Sequence, residues 1–138
     1  MIGFNSETEF ELEEQEETKA WLNHVARLEG FDISEVNYIF CNDEYLLNLN
    51  KSYLNHDTYT DVIGFDYSIG KNLQGDIYIS IDRVRENAQK FDVKFKHELH
   101  RVMVHGLLHF CGWSDKSDSE RAGMREREDF HLSSALLN

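Results

Sequence analysis

The groups best suited to chemistry in this 138-residue chain are gathered in one stretch, His105-Gly106-Leu107-Leu108-His109-Phe110-Cys111-Gly112-Trp113-Ser114-Asp115. Five of the seven histidines fall between residues 97 and 131. Two histidines at i and i+4 of a helix are separated by only about 40° of rotation and about 6 Å of rise. Both imidazoles can therefore reach one ion at the about 2.0–2.1 Å of a zinc–nitrogen bond. Gly112 can take the left-handed conformation that ends a helix and turns the chain back. That turn carries Asp115 toward the same point, where a carboxylate oxygen is an acceptable zinc ligand. The expected site is thus one divalent metal ion, zinc by its donors, held by His105, His109 and Asp115.

Histidine, histidine four later, glycine seven later and a third ligand ten later are the offsets of the metzincin signature. Metalloproteases place a glutamate directly after the first histidine as general base. Here that position is Gly106, so the metal frame comes without the peptidase base. Three protein ligands leave a fourth position open, the arrangement of catalytic rather than structural sites.

The surrounding elements must present those side chains on one helix and its exit turn. Residues about 94–111 read as that helix, and Ser117-Asp-Ser-Glu120 is a capping-box signature that opens another. Upstream, Ile2 to Phe10 can form a strand. Residues about 14–29 form a helix with Trp21, Leu22, Val25 and Leu28 on one side and Gly30 past its end. Val36 to Phe40 alternates as a strand, and Asn42 caps a second helix with Asp43 and Glu44 in its first turn. Val62 to Tyr67 and Ile77 to Ile81 are further strands, followed by a helix at about 82–90. The order β-α-β-α-β-β-α-α-α predicts an α/β (α+β) domain, a mixed sheet of about four strands packed with about five helices. No repeat or linker interrupts it, so residues 1–138 are expected to form a single domain.

Composition narrows the class. With 41% apolar residues the chain can bury a core. No stretch approaches the roughly 20 apolar residues of a membrane span, and Met1 to Phe10 has neither the basic start nor the apolar run of a signal peptide. Cys41 and Cys111 are expected as reduced thiols in a cytoplasmic protein. The formal charge of −12 argues against a generic nucleic-acid binder. The charge is uneven, however: residues 1–70 hold 15 acidic and 3 basic residues, whereas residues 71–138 hold 11 of each. The second half, with five of the seven histidines, is neutral; a polyanion could approach it, but composition alone does not suggest one.

Three blocks in order resemble the YbeY family, bacterial metal-dependent endoribonucleases that act as rRNA maturation factors. The family hallmark H-G-x-x-H-x-x-G-x-D-H is similar to the stretch from His105 to Asp115 and matches it through Gly112. A second block is Asn50-x-x-Tyr53, then Asp57-x-x-Thr60-Asp61-Val62-Ile63-x-Phe65; a third is Gly75-Asp76-Ile77. The resemblance implies a compact α/β domain, a zinc-type metal on the histidine frame, and cleavage of single-stranded RNA near the small ribosomal subunit. It implies rRNA as partner, together with ribosomal or assembly proteins, and neither membrane nor DNA. Ser114 stands at the hallmark's aspartate, and two further departures matter. Asp115 stands where the family has its third histidine, and Leu54 stands where an arginine usually follows the aromatic of the second block.

That arginine is a natural phosphate anchor, and two residues are candidates to replace it in substrate binding. His56 could donate to phosphate, or be an ordinary loop histidine. Arg101, one turn before His105 on the same face, could face the cleft, or pair with an acid such as Glu98. His97, His100 and His131 are expected at exposed helix positions. Asp61 and Asp76 serve turns or hydrogen bonds to the ligand histidines. The rival to a nuclease is a ribosome-assembly binding factor whose metal is mainly structural, with little turnover. Leu54 and the acidic first half favour it, and the open coordination position opposes it.

Overall fold

The computed structural model describes residues 1–54 and 59–134. Nine elements follow in the expected order: β1 (Ile2–Ser6), α1 (Gln15–Leu28), β2 (Asp32–Cys41), α2 (Asp43–Tyr53), β3 (Val62–Asp66), β4 (Asn72–Ser80), α3 (Ile81–Lys90), α4 (Phe95–Phe110) and α5 (Asp118–Leu132). The four strands form one mixed sheet in the order β1-β2-β4-β3. β1 and β4 each run parallel to β2, and β3 runs antiparallel to β4.

The strands differ from the sequence expectation at their ends, and pairing explains each difference. β1 stops at Ser6, opposite Phe40 near the end of β2, instead of reaching Phe10. Phe10 instead packs its ring edge-on against Phe40 and Phe95. β2 and β4 begin earlier than their alternating cores suggest, because Asp32 pairs with Asn72 and a bulge near Ile33 absorbs the polar residues between. β4 ends at Ser80, whose hydroxyl accepts the Arg83 N–H and caps α3, so Ile81 opens that helix.

Val36, Tyr38, Phe40, Ile77 and Ile79 alternate onto one sheet face and are fully buried there. α4 lies in that same core, with Leu99, Met103, Leu107 and Leu108 among its buried side chains. Tyr38 crosses from sheet to helix and donates its hydroxyl to the Met103 carbonyl at 2.9 Å. Burial holds that phenol protonated, so it stays a donor. α4 is thereby fixed against β4 on one side and against α5 on the other, and the candidate ligands sit at its C-terminal end.

Candidate metal centre

Two local devices bracket the turn that follows α4. The Gly112 N–H reaches the His109 carbonyl and the Trp113 N–H reaches the Leu108 carbonyl, with Gly112 at φ 99°: a Schellman end. Four residues later Ser117 caps α5 through a full capping box with Glu120. Trp113 anchors the turn by donating its indole N–H to Glu29 at 2.9 Å. Arg121 holds the far side through the Lys116 carbonyl and the Asp118 carboxylate.

This turn brings Asp115 back over the helix. Its Oδ2 lies 3.3 Å from Nε2 of His105 and 3.3 Å from Nε2 of His109, and the two Nε2 atoms are 3.0 Å apart. Donors at about 2.0–2.1 Å from a tetrahedral ion stand about 3.3–3.4 Å apart. The triangle is thus slightly tighter than a zinc shell and needs only a few tenths of an ångström to open. Two imidazole nitrogens and a carboxylate oxygen are acceptable zinc ligands. The three residues could hold a metal ion.

One residue of this site had no place in the sequence reading. Glu128, on α5, is buried and accepts from Nδ1 of His105 at 2.6 Å. With Nδ1 donating, the lone pair of Nε2 faces Asp115 and His109. Burial disfavours the His105 imidazolium, but Glu128 and Asp115 outweigh it and the pKa is raised. Arg101 completes the chain, donating to Glu128 at 2.9 Å and to Asp129 at 2.6 Å. Its side chain borders the cleft yet is only 10% exposed. The pairing acids come from α5 and not from Glu98, one turn away on α4. The signal for Glu128 lay in its spacing: Met124, Glu128 and His131 recur at four and three residues, a buried stripe in α5.

Gly106 explains the missing peptidase base. A Cβ there would stand 2.9 Å from the Ile77 methyl on β4, so this position points into the sheet and away from the ligands. Asp61, just before β3, does border the site. It lines two cavities together with His105 and Asp115. Burial pushes its carboxyl upward, against the pull of His105 and two backbone N–H groups. Asp76 lies apart from it, accepting from Asn37 at 3.4 Å.

Two histidines expected at exposed positions are buried. His100 donates to the Lys96 carbonyl and packs on Trp21, sharing the core-facing spacing of Met103 and Leu107. His131 is fully buried and donates to Glu29 at 2.7 Å. His97 is half-buried. His56 lies outside the described residues.

The sequence profile of the endoribonuclease YbeY family matches residues 2–135. The chain belongs to that family. An endoribonuclease YbeY of Flavobacterium psychrophilum is 56% identical over 96% of this chain and 94% of its own length. One of Flavobacterium johnsoniae is 51% identical over 94% and 93%. The solution structure of a Thermotoga maritima protein superposes with a TM-score of 0.67 at 27% identity, covering 96% of this chain and 87% of that one. The single mixed sheet with five helices is therefore a fold with a solved counterpart. In this YbeY-family chain Leu54 ends α2 at 43% exposure and, like His109, lines the larger of the two cavities, about 730 Å³. No helix among the described residues is long and apolar enough to cross a membrane.

Proposed function

We propose that this protein is a metal-dependent endoribonuclease that cuts single-stranded RNA in the cytoplasm during maturation of small-subunit rRNA. His105, His109 and Asp115 hold one zinc ion. The observation that carries the reading is the convergence of three ligand atoms at the junction of two open cavities, in a chain whose relatives are named endoribonucleases. A linear substrate can enter through one cavity and leave through the other, which suits a cut within a strand. When bound, a divalent ion over two neutral imidazoles and one carboxylate supplies a net charge of about +1 and Lewis-acid polarisation of a phosphoryl oxygen.

The chain's own residues do the rest. Glu128 keeps His105 turned with Nε2 toward the ligand point, and Arg101 keeps Glu128 aimed. Arg101 acts through that acid, so its part in substrate binding is indirect. Asp61, beside His105 in both cavities, is the carboxyl placed to take a proton from the attacking hydroxyl, be it water or a ribose 2′-OH. Gly106 supplies no base at the position where metalloproteases carry their glutamate.

Elemental analysis and cleavage of labelled single-stranded RNA test the proposal together. About one metal per chain is expected, with loss of cleavage on chelation and in His105→Ala, and loss of most metal in Asp115→Ala. His105→Ala cleaving as fast as the parent would assign the activity to a contaminant. The exposed Leu54 in the cavity wall favours a second reading, a ribosome-assembly factor with a structural metal and little turnover. A metal-replete protein that binds RNA without cutting it would establish that reading instead.

A further inference from the structure

The smaller cavity, about 410 Å³, runs from His105 between α3 and α5. That volume falls in the range of small-ligand sites, about 300–1,000 Å³. Its walls differ in chemistry. On one side stand Asn87 of α3 and Phe91, the residue that ends that helix, and Phe91 is 49% exposed. On α5 stand Arg121 and Arg125, one turn apart. The other guanidiniums are engaged: Arg101 holds Glu128 and Asp129, and Arg121 holds Asp118 and the ligand turn. Arg125 is exposed and, among the described residues, makes no salt bridge or hydrogen bond, although its charge acts on the buried Glu98. The cavity's acids Glu98 and Glu128 lie beneath it, buried.

We infer that this cavity is a nucleotide subsite beside the metal centre, in which Arg125 binds a backbone phosphate and Phe91 stacks on the adjoining base. The inference rests on the RNA reading above and adds a side of approach to it. An exposed aromatic ring and an exposed guanidinium without a salt-bridge partner, lining one cavity, are the pairing by which single-stranded nucleic acid is held: stacking for the base, charge for the backbone. The Phe91 face is already visited by a cation, with Lys90 Nζ 5.7 Å from its centroid, and a base can displace that weak contact. Asn87, half-buried in the same wall, offers an amide donor and acceptor to a base edge. The buried acids keep phosphate off the floor of the cavity, which leaves the exposed Arg125 to meet the backbone.

The test is fluorescence anisotropy of metal-replete protein with a labelled, 2′-O-methylated single-stranded oligonucleotide of about ten residues, long enough to cross both cavities. Arg125→Ala should weaken binding about 3- to 10-fold and reduce the slope of log affinity against log salt by about 0.7, one single-strand phosphate. Phe91→Ala should weaken binding about 10-fold and leave the slope unchanged, because stacking releases no counterion. Arg27→Ala, on the exposed side of α1, controls for loss of a charge and should change neither. If the parent binds and both cavity variants match it in affinity and slope, the subsite is wrong while the RNA reading stands. If the parent binds no RNA, the RNA reading falls and this inference with it.

Discussion

At the scale of single residues, Glu128 decides how good a ligand His105 can be. An imidazole whose Nδ1–H is held by a carboxylate presents a fixed and more basic Nε2. Glu128→Ala should lower metal affinity about 10- to 100-fold by competition with a chromophoric chelator. Glu128→Gln, which keeps an acceptor for Nδ1–H, should lose less. Equal affinities in all three proteins would reduce Glu128 to a partner of Arg101. Asp61 calls for the opposite pattern. Asp61→Asn should retain full metal content while cleavage falls about 100-fold, within the usual range for loss of a general base. Unchanged turnover would remove Asp61 from the reaction.

At the scale of elements, the ligand geometry depends on where helices start and stop. α4 ends in a Schellman turn and α5 begins in a capping box, so the residues between them have both ends defined by backbone hydrogen bonds. A second junction holds α2 to α3. Asp43, in the first turn of α2, accepts from Arg83 at 2.8 and 3.2 Å and from Ser80 at 2.7 Å. The Arg83 hydrogen bonds hold its carboxyl below the usual aspartate range, against a smaller opposing effect of burial. A depressed carboxylate stabilises the fold above its unfolded value, about 3.9, and that contribution fades as pH falls toward the folded value. Asp43→Asn should therefore cost about 1–2 kcal/mol at neutral pH in urea melts. The cost should shrink below about pH 4. A penalty that does not change with pH would mean that the pair contributes by packing alone.

At the scale of the whole molecule, the question is how a chain of charge −12 admits a polyanion. Charges separated by more than about 8 Å are largely screened at physiological salt, so only groups in the cavity walls matter for the approach. The two cavities differ there. The smaller has arginines among its lining residues, whereas the larger has Lys116 and Leu54. Leu54→Arg should strengthen RNA binding and steepen its salt dependence by about one counterion. Anisotropy across a salt series reads both; an unchanged slope would show that position 54 does not meet the backbone. Because both cavities open on the ligand triangle, gains there should appear in cleavage as well.

The order of the nine elements, the glycine that ends α4, the cap that opens α5 and the candidate ligands were legible in the sequence. Each depends on residues within about a turn or two of one another, and such spacing is what helix and strand periodicity encode. The strand order, the pairing that lengthens β2 and β4, and the burial of His100 and His131 depend on contacts between distant segments. So does the site's support. His105 and Glu128 are 23 residues apart, and Trp113 and Glu29 are 84 apart. No local pattern says which carboxylate will meet which imidazole, because burial exacts a partner for every charge without naming it. Arg101 shows the difference most plainly. Its place one turn before His105 followed from helical spacing alone, but whether its guanidinium would face a phosphate or an acid was decided by the packing of α5 against α4, which set Glu128 and Asp129 within reach.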